Sequence, residues 1–97
     1  MEQERQPSPR LQAKIDRDFP PVARAAVLER LASLDLALAE KQSLERIQAA
    51  VVALADGNLE KLNEAAELAE RDWRDVLVWS GLGNSDWPAR LDEVLGP

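Results

Sequence analysis

A chain of 97 residues holds one domain, and that length buries roughly 60 to 70% of the unfolded surface, enough for a core without staples. With no Cys and no His, disulfides, thiolate nucleophiles and thiolate metal sites are excluded, and the usual general base near neutral pH is missing. The net charge of −6 falls wholly on residues 43–97, with eleven acidic and five basic side chains against seven and seven in residues 1–42, a field that repels nucleic acid and anionic membrane surfaces.

Residues 1–8 are polar, with Pro7 ahead of Ser8, and read as a disordered arm before a single helical domain over 9–97. They contain no apolar stretch of the kind that marks a secretory signal, and the longest apolar run, Ala49 to Ala55, is only seven residues. A cytoplasmic protein with no membrane association is therefore expected. The apolar content of 45%, drawn mostly from Leu, Ala and Val with one Phe and three Trp, suits helices packed through small side chains.

Ser8 is placed to cap a first helix with Pro9 at its tolerated first position. Leu11, Ile15 and Phe19 give that helix a thin apolar edge, and Pro20-Pro21 ends it. Pro21 then starts a second helix, expected to run to about Leu38 with Val22, Ala26, Val27, Leu31, Leu34 and Leu38 as its stripe. Ser43 is a cap candidate for a third helix, whose apolar face is Leu44, Ile47, Val51, Leu54 and Ala55, widened by Val52. Asp56-Gly57-Asn58 supplies a left-handed stop and then a cap for the next helix, so helices three and four should be antiparallel neighbours.

The stretch Asn58 to Gly81 reads as the structural hub, with Leu59, Leu62, Ala66, Ala69 and Trp73 on one face. Asp72 resembles a fresh helix start, yet no Gly or Pro separates it from helix four, so two helices and one bent helix are both compatible with the residues. Trp73, Val76, Leu77 and Ser80 continue the inner side, and Trp79 falls one step off it, either packed or partly exposed. Gly81-Leu82-Gly83-Asn84 reads as a helix stop rather than a phosphate loop, since it lacks the Walker lysine and a preceding strand. A last helix follows, capped by Ser85 or Asp86, with Pro88 in its first turn, Trp87 folding back as a staple, and Leu91, Val94 and Leu95 facing inward. The fold class expected is a compact all-α bundle of five or six short helices.

Chemistry is harder to place. Glu60, Glu64 and Glu67 share a helical side, but a dimetal carboxylate site draws on Glu-x-x-His motifs, so an ordinary solvated face is the better reading and neither metal nor cofactor is expected. The serines lack an activating partner in any recognisable spacing.

Residues 44–82, through Leu44-Glu45-Arg46-Ile47-Gln48-Ala49-Ala50, Leu54-Ala55-Asp56-Gly57 and above all Arg71-Asp72-Trp73-Arg74-Asp75-Val76-Leu77-Val78, resemble a family of small, uncharacterised bacterial helical proteins. The resemblance implies a compact helical domain and no assigned activity, cofactor or catalytic residue.

The function expected is a non-enzymatic protein-interaction or regulatory domain. Homodimerisation is one form of it, because the thin edge of Leu11, Ile15 and Phe19 calls for cover. The alternative is a small acidic inhibitor or immunity-like protein that docks on a basic partner. The candidate contact residues are Glu60, Glu64, Glu67, Asp75 and Trp79, the last because Trp is enriched at interface hot spots.

Overall fold

Local punctuation sets the helices, and packing then decides which of their sides is inside. The computed structural model of the chain describes residues 7–34 and 44–95. Among these, five helices run in the order α1 (Pro9–Asp18), α2 (Pro21–Ala32), α3 (Leu44–Ala55), α4 (Leu59–Ser80) and α5 (Trp87–Leu95), with no strand. The protein is the all-α bundle its sequence implies. Its radius of gyration is 12.0 Å, close to the roughly 12.5 Å of a compact body of this length.

Ser8 opens α1 as expected, accepting the Leu11 N–H. Residues 1–6 of the expected arm lie outside the described residues. Pro7 is buried, and its carbonyl accepts from the Gln12 side chain at 2.8 Å, so packing begins ahead of position 9. Leu11, Ile15 and Phe19 are all at most 2% exposed. Neighbouring helices of the same chain cover this edge, which removes the reason it gave for a dimer.

In α2 the buried row is Ala23, Val27 and Leu31, followed by Leu34, whereas Val22 is 91% exposed and Ala26 is also exposed. Val27, Leu31 and Leu34 of the expected stripe are inside, and its first members are displaced: Ala23, about 100° around the helix from Val22, takes their place. The Ala23 row reaches the core, while Val22 and Ala26 face out. The helix also ends at Ala32, short of the expected Leu38. Ser33 closes it by sending its N–H to Glu29 and Arg30 carbonyls and its hydroxyl to Arg30 O. The expected Leu38 end and the Ser43 cap fall outside the described residues.

The central element is α3. Ile47 through Val52 are six consecutive buried residues and Ala55 is buried as well, so the middle of this helix is enclosed all round, while Ala53 and Leu54 near its end are half-buried. A helix that is apolar all round is a buried one. The hub is therefore α3 rather than the Asn58 to Gly81 stretch, which packs against it as the antiparallel partner in the most extensive helix contact of the fold. Among the described residues Gln48 is the one polar residue in this interior, at 1% exposure, and its Nε2 donates to the Leu31 carbonyl at 3.2 Å. That carbonyl belongs to the last turn of α2, where backbone acceptors run out of helical partners.

The link from α3 to α4 follows the sequence closely. Asp56 and Gly57 take left-handed φ of 51° and 78°, and Asn58 Oδ1 accepts the Lys61 N–H at 2.9 Å. A side chain at Gly57 would place its Cβ 2.6 Å from the carbonyl oxygen of Asp18, so glycine is required there by space as well as by φ. Leu62, Ala65, Ala66 and Ala69 of α4 are buried, with Leu59 and Trp73 half-buried at the edge of the core.

At Asp72 the backbone of α4 leaves helical geometry (φ −155°, ψ 91°). The Asp72 carboxylate accepts the Arg74 N–H at 3.2 Å, so it caps the helical segment that follows. Both features of the sequence are real: a helix start at Asp72, and a chain that bends there without Gly or Pro. Gly81 (φ 85°) ends the segment, and the Leu82 N–H reaches back to the Leu77 carbonyl at 2.9 Å in a Schellman closure that buries Leu82. Trp87, expected to fold back as a staple of the last helix, packs half-buried against the core and also meets α3: the Arg46 guanidinium lies 4.5 Å from its ring centroid while Arg46 Nε donates to Leu82 O at 2.8 Å. Among the described residues, no helix is long and apolar enough to cross a membrane.

Candidate functional site

The bend at Asp72 has a consequence for the outer surface. On an unbroken helix Trp79 would stand about 27 Å along the axis from Lys61, at 1.5 Å per residue. The bend returns the chain, and the two side chains line one groove of about 500 Å³ together with Leu54, Glu64, Ala65, Leu68 and Arg71. Leu54 comes from the last turn of α3. The others before the bend come from one side of α4, at spacings of three and four residues.

The floor of the groove is apolar. Ala65 is buried, and Leu54 and Leu68 are half-buried residues at the edge of the core cluster. Leu54 was expected inside the core, and the groove explains its partial exposure: α4 covers one flank of it and leaves the other open. Trp79 stands at the mouth with 68% of its surface exposed, and its neighbour Val78 is 66% exposed. These are two of the three large apolar side chains exposed among the described residues; the third, Val22, is on α2.

The rim is charged, with Lys61 and Arg71 against Glu64. None of these three forms an ion pair with a described residue. Elsewhere the same kinds of side chain are engaged. Arg30 grips Glu70 through two hydrogen bonds of 3.0 and 3.1 Å, joining α2 to α4. Arg10 reaches both Glu45, at 3.2 Å, and Asp92, at 2.7 Å, tying α1 to α3 and α5. Burial pushes the Glu45 carboxyl up, and the hydrogen bonds from Arg10 and Ser8 outweigh it, so its pKa lies below the ordinary value. The same bonds to Glu45 and then Asp92 raise the Arg10 pKa.

Of the five contact residues expected from the sequence, the groove unites two, Glu64 and Trp79. Glu60, Glu67 and Asp75 are exposed but do not line it. Glu67 lies on the side facing Arg30, whose charge it supports, so the carboxylates of α4 are divided between two surfaces. Among the described residues no three acidic side chains gather as a metal-binding group. The residues sequence reasoning missed are Leu54, Lys61, Ala65, Leu68 and Arg71. The 61-64-68-71 spacing was there to be read as an outer stripe, but Leu54 and Trp79 join it only through the turn and the bend.

Chemically the groove offers an apolar floor and three charges, with no hydroxyl, thiol or imidazole among its lining. Ser80, next to Trp79 in sequence, donates its hydroxyl to the Leu77 carbonyl at 3.1 Å. Such a surface can bind and orient. No family model, curated protein or solved structure matches the chain.

Proposed function

We propose that this chain is a non-enzymatic protein-interaction domain that engages its partner through the Leu54–Ala65–Leu68 groove and Trp79. The observation that carries the reading is Trp79 itself, 68% exposed at the mouth of an apolar groove whose rim charges are unanswered among the described residues. Aromatic anchors beside a desolvatable floor, ringed by charge, are the anatomy of interface hot spots. An acidic inhibitor that docks through the α4 carboxylates has less support. Glu64 shares its rim with two cations, and Glu67 faces Arg30.

A photo-crosslinking residue placed at position 79, with a second at exposed Glu93 on α5 as a control, tests this in the organism's own cells. The expected result is a discrete protein adduct at 79, absent at 93. Equal labelling at the two positions, or none at 79, overturns the proposal.

A further inference from the structure

We infer that the partner seated on this groove is a second copy of the chain, paired through antiparallel α4 helices about a two-fold axis beside Leu68. The inference rests on the reading of the groove as an interaction surface and names its occupant.

Charge complementarity is the first ground. Before the bend, Lys61, Glu64, Leu68 and Arg71 follow one another at spacings of three, four and three residues, so they form one stripe along α4. When a two-fold axis relates two antiparallel helices, residue i of one opposes residue j of the other with i + j constant. An axis between Glu67 and Leu68 sets Glu64 against Arg71 of the second copy, and symmetry makes that pair twice. Glu64 and Arg71 stand seven residues apart, about two turns or 10.5 Å, with Leu68 between them. The two Leu68 side chains therefore meet beside the axis while opposite charges flank them. Neither Glu64 nor Arg71 has an ion-pair partner within the described chain to give up.

Net charge points to the same face. A chain carrying −6 repels its own copy over most of its surface. The groove rim sums to +1 from Lys61, Glu64 and Arg71, so it is a place where two copies approach with little opposition. Shape supplies the third ground. A two-fold interface must be self-complementary, which requires a protrusion and a hollow on the same face. Exposed Trp79 and the Leu54–Ala65–Leu68 floor are that combination, and closing the pair covers both. The other apolar edge, Leu11, Ile15 and Phe19, is already consumed inside the chain.

Light scattering and sedimentation equilibrium over a concentration series, with circular dichroism to verify folding, test the pairing on the full chain and four variants. The unaltered chain is expected to dimerise. Trp79→Ala should weaken the dimer about thirtyfold or more, as loss of an aromatic anchor does. Glu64→Arg and Arg71→Glu should each weaken it about tenfold, and the double reversal should restore it to within about threefold. All three positions face solvent, so the variants should keep their fold. A chain that stays monomeric up to about 1 mM, the weak end of the affinity scale, overturns the second copy as occupant, while an adduct at position 79 with a different protein would leave the interaction reading standing. A dimer indifferent to all four variants places the contact elsewhere and overturns the inference. A double reversal weaker than either single change overturns the antiparallel register.

Discussion

The end of the bundle around Arg10 and the outer side of α4 treat charge in opposite ways. At the first, Arg10 is only 29% exposed and bridges Glu45 and Asp92, so one cation holds three helices together. At the second, Lys61, Glu64 and Arg71 surround an apolar floor and form no ion pair with the rest of the described chain. Both regions are built on short spacings in amphipathic helices. What separates them is whether another element arrives to answer the charge. A bundle this small stabilises itself on one side, and the proposed recognition falls to the other.

The contrast predicts that substitutions on the sealed side cost stability and that those on the groove cost association alone. The largest effect belongs to Gly57→Ala, which places a Cβ against the Asp18 carbonyl at a positive φ. Thermal or urea unfolding should register a loss of about 3 kcal/mol. Gln48→Leu comes next, because it removes a donor from the Leu31 carbonyl in a dry interior. The Leu31 carbonyl keeps the long 3.4 Å bond from the Leu34 N–H, so a loss of about 1.5 kcal/mol is expected for the missing side-chain hydrogen bond, and a stability unchanged within error would show that the interaction contributes nothing.

Arg10→Ala should cost about 1 kcal/mol or less at neutral pH, since the pair is about one-third exposed and screened by solvent. Its pH dependence is more telling. The Glu45 carboxyl is held below its ordinary 4.5 in the folded chain, so its contribution is complete above that value and is lost as pH falls through the lowered folded one. The stability gap between the unaltered chain and Arg10→Ala should therefore shrink on acidification. A gap that widens below the ordinary carboxyl range would contradict the assignment. Read at protein concentrations well below the dimer's dissociation constant, where association adds nothing to stability, the smallest effects should be those of Trp79→Ala and Arg71→Glu, within about 0.5 kcal/mol for surface positions. A larger destabilisation at either would assign the groove to structure and erase the contrast.

Much of the fold was legible because its signals are local. Ser8 with Pro9, Pro20-Pro21, Asp56-Gly57-Asn58 and Gly81 each act on backbone groups within a few residues, and each starts or stops a helix where its chemistry implies. The Asp72 cap was visible for the same reason. The site was only half legible. Glu64 and Trp79 stood out one by one, by outward position and residue type, but nothing local joins residues fifteen positions apart across a bend. The run from Ala49 to Ala55 carries a further signal: an uninterrupted apolar stretch in a helix indicates burial on all sides, and α3 is enclosed from Ile47 through Val52.

Sequence by itself determined the helical class, the main turns and the absence of thiol and imidazole chemistry, because residue type and short-range hydrogen bonding suffice for these. Tertiary structure alone decided that α2 buries Ala23 and not Val22, that α3 is the centre, and that the bend at Asp72 brings Trp79 to Lys61. The physical reason is common to all three. Rotating a helix by one residue, or changing the direction of a bend, leaves every local hydrogen bond intact, and only the competition of distant apolar surfaces for the same interior selects one arrangement.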